Sequence, residues 1–291
     1  LFDRDLRYSL GIGYRETKSF FSDFDTREGF FNNSIGFPVG DYARLQLRQG
    51  LVVDRLTGLD LSLSSPSSQR LLDDQRAGTA VTGTLGYGYT YDTRNVGIDP
   101  TRGYILSFNQ DAGLGNQSRR FVKTEARAGY ELAVFNEDVI LRGDARVGVL
   151  QMISGKSRNR ERFQLGDVMR GFSPGASGPR DFGSTNDDVL GGNRYFSVQL
   201  EAQFPLGTPE EYGLSGGIFT DVGSVWGVDN APTTMVSNGV DYNSMKLRAT
   251  VGVSVFWDSP LGPLRFDFSR PLRKLDADRA QNFDFSIVSR F

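Results

Sequence analysis

The sequence predicts an all-β chain: a transmembrane antiparallel β-barrel with one long loop folded into its lumen. Three observations carry this reading. Apolar and polar residues alternate with period two through about twelve segments. Each segment is close to the roughly 9–11 residues that a tilted strand needs to cross a bilayer. The connections between segments are alternately short and long, the asymmetry of outer-membrane barrels.

Taken in order, the first strand sets Leu6, Tyr8, Leu10, Ile12 and Tyr14 against Arg7, Ser9, Gly11, Gly13 and Arg15. Phe31, Asn33, Ile35 and Phe37 form the second, and a turn at 38–41 leads to Ala43, Leu45, Leu47, Leu51 and Val53. A Ser-rich loop over about 55–79 precedes Val81, Leu85, Tyr87, Tyr89 and Tyr91, followed by Tyr104, Leu106 and Phe108. The clearest alternation sets Val122, Thr124, Ala126, Ala128, Tyr130 and Leu132 outward, with Lys123, Glu125, Arg127 and Glu131 toward the lumen. Val139, Leu141, Ala145, Val147 and Val149 follow; then comes a polar run from about 153 to 194. Beyond it lie Phe196 to Phe204, a weaker Gly-rich strand near 213–223, Leu247 to Trp257, Leu264 to Phe268, and Phe283 to Phe291. The short connections are 38–41, 93–102, 135–138, 206–212 and 258–263. The longer ones are 19–26, 55–79, 153–194, 224–245 and 271–281, with 114–119 the exception.

Composition agrees with a wall rather than a packed core. Of the 291 residues, 38% are hydrophobic, yet 12% are aromatic and 35 are glycine. A barrel can be built from few apolar residues because its interior need not be filled with them. The net charge of −2 gives no basic footprint for nucleic acid. Cysteine and histidine are both absent, which excludes disulfides, thiolate and Ser-His-Asp chemistry, and His-based metal sites. No apolar run approaches the roughly 18 residues of a membrane helix. A soluble β-sandwich or β-helix with a solvated charged face is the competing architecture. A sandwich this large would need longer apolar stretches at its centre.

The long polar run holds Asp167-Val168-Met169-Arg170-Gly171-Phe172-Ser173-Pro174-Gly175, whose apolar-Arg-Gly-aromatic core is unlike a disordered linker. Loops of this length are usually functional or disordered, and this one reads as folded back into the structure with Arg170 as its anchor. Alternation places Glu201 and Asp221 on the lumen side of consecutive strands. On the residues alone, the simpler arrangement is a solvated Arg170 and two acids lining a pore.

Several stretches together resemble the BamA family of outer-membrane protein assembly factors, part of a superfamily of barrel insertases and two-partner-secretion transporters. Met169-Arg170-Gly171-Phe172 is similar to the family's sixth-loop signature, and Asp99-Pro100-Thr101-Arg102-Gly103-Tyr104 to one of its turns. Phe219 to Trp226 resembles its Phe-x-Asp-x-Gly-x-Val-Trp strand. Ser259 to Leu264 with Pro271-Leu272 resembles its penultimate hairpin. Phe283, Phe285, Ile287 and Phe291 resemble its C-terminal insertion signal.

The resemblance implies an outer-membrane barrel of sixteen strands, of which about twelve lie in residues 1–291. It implies that the earlier strands and the periplasmic polypeptide-transport-associated domains are missing from this chain. It implies that Arg170 pairs with Glu201 and Asp221, with Gly171 allowing close approach to the wall and Phe172 packing below. The implied function is non-enzymatic insertion of nascent β-barrel proteins by strand addition at a lateral seam, with no cofactor. The implied partners are those nascent barrels, outer-membrane lipid, and accessory lipoproteins bound through the periplasmic domains. Val288 stands where the family commonly has a kinking Gly, and Val favours regular strand. A polypeptide-secretion transporter of the same superfamily and a passive porin are the alternatives.

Overall fold

A computed structural model describes residues 5–18, 25–59, 67–95, 100–175, 177–185, 187–259 and 262–287, apart from the side chain of Glu210. The alternating segments form β1 (Arg7–Lys18), β2 (Asp25–Pro38), β3 (Ala43–Thr57), β4 (Ala80–Asp92), β5 (Gly103–Gly115), β6 (Arg119–Val134) and β7 (Val139–Ser154). Between β3 and β4 lies α1 (Gln69–Arg76). The long connection after β7 carries α2 (Leu165–Val168) and the two-residue strands β8 (Arg180–Asp181) and β9 (Asp188–Val189). Then come β10 (Arg194–Pro205), β11 (Leu214–Trp226), a small hairpin of β12 (Val236–Ser237) and β13 (Val240–Asp241), β14 (Arg248–Ser259), β15 (Gly262–Arg273) and β16 (Phe283–Ile287).

Twelve of these strands make one antiparallel sheet in the order β1-β2-β3-β4-β5-β6-β7-β10-β11-β14-β15-β16. Each neighbour in the sheet is the next wall strand in sequence, so the chain winds as a meander. Among the described residues no ladder joins β1 to β16. The wall strands before β16 run 12–16 residues, longer than the bilayer needs, and within the described residues β16 pairs over five residues with β15.

Burial is inverted relative to a soluble protein. The apolar face is bare: Leu10, Ile12, Leu85, Leu200, Ile218 and Val253 are each at least half exposed. Soluble monomers do not tolerate an apolar patch that spans a whole sheet. The opposite face holds the charges, as alternation in β6 requires. Tyr130 and Leu132 are exposed, while Arg127 bonds Asp144 across the ladder and Lys123 lies 4.5 Å from the Phe163 ring of the long loop. This arrangement rules out a sandwich, whose second sheet would cover the apolar face.

The apolar clusters accordingly sit between loops and wall. One joins Phe121, Leu150, Phe163, Leu165, Val168, Met169, Phe172, Tyr195 and Val225. The other joins Leu56, Leu59, Leu71, Leu72, Leu190, Val228 and Met235, and it is built mostly from connections.

The structure corrects several sequence-based boundaries. The Ser-rich 55–79 stretch contains α1, which is short and has no side-chain N-cap bond to announce it. The strand expected to be weak near 213–223 is the full thirteen-residue β11. Glycines of β11 and β14 make room for large inward side chains: a Cβ on Gly217 of β11 would stand 2.9 Å from the Phe256 ring, and one on Gly252 of β14 would stand 2.3 Å from the Phe219 ring directly opposite in the register. Asp99, Val288 and Phe291, and residues 260–261 of the penultimate hairpin, lie outside the described residues.

Gly252→Val should therefore push the Phe219 ring off its seat and destabilise the barrel by about 1–3 kcal/mol, the usual scale of overpacking. Phe219→Leu on the same background should recover part of the loss. Urea midpoints of the variants refolded in detergent measure both.

Candidate functional site

The site forms where the loop 155–193 meets the inner face of β10 and β11. In the ladder between them Glu201 faces Phe219 and Gln199 faces Asp221. Residues two apart share a face, so Glu201, Phe219 and Asp221 all point inward and form a diagonal acid-ring-acid row. Arg170 descends onto that row. Its Nε and Nη2 donate to Asp221 at 2.9 and 2.6 Å, and its Nη1 donates to Glu201 at 2.6 Å. The backbone N–H of Arg170 donates to the same Asp221 carboxylate at 2.9 Å. The guanidinium carbon lies 3.7 Å from the centre of the Phe219 ring, a stacked cation–π contact.

A planar fork suits this geometry, since two nitrogens engage one carboxylate while the third reaches another. Burial is the largest single influence on Arg170 and works against its charge. The hydrogen bonds and charges of Asp221 and Glu201 outweigh it and hold the guanidinium more firmly protonated than usual. Asp221 is fully buried, so these bonds replace the water it would otherwise keep.

The loop backbone is shaped to allow this descent. Gly171 has φ +87°, and a Cβ there would stand 2.4 Å from Thr250 Cγ2. Both the backbone conformation and the close approach exclude other residues. Met169 and Phe172 on either side are each 2% exposed, within the apolar cluster against the wall.

Sequence reasoning missed a second cation. Arg265 of β15 donates to Glu201 at 2.5 Å and to Asp267 at 2.8 Å, and its guanidinium lies 4.9 Å from the Phe256 ring. Arg142 of β7 stands 3.9 Å from Glu201. Glu201 is thus shared by three guanidiniums on three segments of chain. Inward alternation marks Arg142 and Arg265 as lumenal, but the meeting with Glu201 depends on strand stagger.

Further pairs fasten the loop: Arg160 to Glu28 at 2.6 Å, Arg119 to Glu161 at 2.9 Å, and Arg158 3.7 Å from Asp54. Arg162 is buried and donates to Ser157 and to Leu190 O; burial beside Arg70 lowers its pKa to about 10. Asp229, in the connection after β11, accepts from Ser157 and from Asn193 Nδ2. Burial, its largest influence, would raise the Asp229 pKa, but those hydrogen bonds and nearby Arg162 lower it overall.

Of the residues resembling a C-terminal signal, Phe283, Phe285 and Ile287 lie exposed on β16. Phe285 lies 5.2 Å from Phe266 and Phe283 lies 5.3 Å from Phe268, ring centre to ring centre. Among the described residues no cluster of metal-ligating side chains occurs.

An antiparallel wall with its apolar face outward and its charged face carrying its own loop, pinned there by Arg170 among other ion pairs, defines a barrel-like fold of the outer-membrane type. The chain belongs to the Omp85 superfamily, whose domain matches residues 1–291. It is 31% identical over 262 residues to outer membrane protein assembly factor BamA of Neorickettsia risticii, covering 89% of this chain and 33% of that protein. It is 24% identical over 316 residues to BamA of Neisseria meningitidis serogroup B, covering 98% of this chain and 39% of that protein. The chain thus spans about a third of the length of these relatives. In fold it is similar to Haemophilus ducreyi BamA lacking POTRA domains 1–3, with a TM-score of 0.74 at 18% identity, over 96% of this chain and 58% of that one.

Two outcomes follow from the geometry. Arg170→Ala leaves two inward carboxylates without their shared cation, at a cost between the about 0–1 kcal/mol of a solvated pair and the about 3–5 kcal/mol of a broken buried one. The strands should persist while residues 165–180 become protease-sensitive, with Arg170→Lys intermediate because an ammonium cannot fork. Limited proteolysis of the protein in membranes reads this out. Separately, the lowered Asp229 pKa means that its contribution is present above the ordinary aspartate value near about 4 and lost as pH falls through the folded value. Acid should loosen the contact between 155–193 and 226–247 in proteolysis below about pH 4. Asp229→Asn should remove that acid-dependent step.

Proposed function

We propose that this chain is barrel wall from an outer-membrane protein assembly factor that folds and inserts nascent β-barrel proteins. The observation that carries this reading is the 31% identity to a BamA protein over 89% of the chain. Insertion of this kind needs no covalent step. A client strand adds to an exposed strand edge through main-chain hydrogen bonds. A chain without histidine or cysteine is suited to such work.

In this reading the remainder of a longer protein supplies the other wall strands of a sixteen-stranded barrel. It also supplies the periplasmic polypeptide-transport-associated domains, through which accessory lipoproteins would bind. The relatives' greater length supports this. Arg170 acts as the anchor of the inserted loop, with Met169, Gly171 and Phe172 as its seat and Glu201 and Asp221 as its lumenal partners. Phe283, Phe285, Ile287 and Phe291 act as the insertion signal of the barrel itself. The apolar face meets outer-membrane lipid.

Two measurements on the complete protein in membranes test this. Residues 1–291 lack cysteine, so with any cysteine elsewhere in the protein replaced by Ser, Tyr130→Cys should react with a lipid-soluble maleimide and Arg127→Cys with a water-soluble one. The opposite pattern would remove the membrane wall. In proteoliposomes, Arg170→Ala should slow folding of a model barrel client about tenfold, the equivalent of about 1.4 kcal/mol. Client folding no faster with the unaltered protein than in empty liposomes would refute the assembly reading. Export of a soluble passenger instead would favour a secretion transporter.

A further inference from the structure

The connection between β15 and β16, residues 274–282, is largely polar, yet Asp278 within it has a fully buried side chain. Its carboxylate joins three segments of chain. Arg248, which opens β14 and is itself 1% exposed, donates its Nε at 3.0 Å and Nη2 at 3.3 Å. The N–H of Leu275 donates at 2.9 Å from within the connection, and the N–H of Gly178 at 3.2 Å from the loop that carries Arg170.

The residues just after Asp278 pair with the residues just after Arg170. Ser173 N donates to Arg279 O at 3.1 Å and Gln281 N to Gly171 O at 3.0 Å, flanking an antiparallel bridge between Phe172 and Ala280. Ser177 Oγ accepts from Arg279 N at 3.0 Å and donates to Arg279 O at 3.1 Å. On the other side of this segment, residues 279–282 and hereafter the strap, Gln281 O accepts from Ser269 Oγ and Asn282 O accepts from Ser269 N, each at 2.8 Å. Phe283, the next residue, begins β16.

A continuous run of bonded backbone therefore leads from Arg170 through Gly171 and Gln281 into β16. Within the described residues that strand has five ladder pairs with β15, and the bonds at its leading end add to what holds it.

We propose that Asp278 and Arg248 are positioning residues that tie the seat of Arg170 to the last strand. With Arg170 seated, residues 279–281 are held between the loop and β15, and β16 is fixed in register. When either the clamp or the Asp278–Arg248 pair is lost, strap and strand loosen together. The consequence for client insertion rests on the assembly reading above; the physical tie does not.

The test is hydrogen exchange of the complete protein in lipid bilayers, read at Ser173, Gln281 and Phe283–Ile287, alongside the client-folding assay. Asp278→Asn should speed exchange at all three places by about tenfold, within the range usual for coupled sites, and Arg170→Ala should do the same, since coupling is reciprocal. The double variant should exchange no faster than the faster single one. Arg248→Lys, which keeps the charge and is the milder change if Asp278→Asn folds poorly, should fall between the unaltered protein and Asp278→Asn. Asp276→Asn, an exposed acid in the same connection, should change nothing. Faster exchange confined to 274–278, or additive effects in the double variant, would overturn the tie. A measured tie with client folding unchanged in every variant would count against the assembly reading while the tie stands. Slowed client folding in Arg170→Ala without exchange coupling would do the reverse.

Discussion

Where the long loop meets β10 and β11, the inner face depends on one guanidinium seated on Asp221 and Glu201. Asp221 has no solvent contact and Glu201 very little, and a wall that turned such acids inward without a cation would carry uncompensated charge. The wall itself brings Arg265 and Arg142 to Glu201, and Arg170 brings a cation to Asp221 from a loop that folds back to reach it. The loop then brings its own apolar residues, Met169 and Phe172, into contact with Phe121, Tyr195 and Val225. Without that plug the inward aromatics would face water. One charge interaction thus decides where the apolar cluster can form.

The same interaction is embedded in a larger balance. Arg265 and Arg142 share Glu201 with Arg170, and Arg265 also holds Asp267. Three cations and three acids from four wall strands and a loop meet there. Such a network specifies geometry more than it adds stability, because each ion gives up hydration to enter it. The aromatic platforms under Arg170 and Arg265 act in the same direction: flat rings opposite glycine fix the height at which a guanidinium can rest.

The wall was largely legible in the sequence. Alternation with period two named the outward and inward residues of β6, and segment spacing gave the order of strands. Two features hid. The helix α1 is short, uncapped by a side chain and set in a Ser-rich run, so local preference gave no warning of it. β11 looked weak because its inward positions include glycines, whose reason lies on neighbouring strands: the space that Gly252 gives to the Phe219 ring has its counterpart where Gly217 faces Phe256.

What the sequence determined by itself was which face each wall residue takes, because the side-chain period of a strand is fixed by its backbone. That was enough to put Glu201, Asp221, Arg142 and Arg265 inward, and to single out Arg170 in its loop. Which of them touch was decided only by the tertiary structure. Strand stagger sets the diagonal from Glu201 to Asp221, and the fold of a 39-residue connection (155–193) sets where Arg170 lands. The pairing of Gly171 and Ser173 with residues 279–281, about a hundred positions away, likewise has no local signal. Periodicity is a property of neighbouring residues and survives in one dimension; contacts between distant segments depend on how strands and loops are arranged in space.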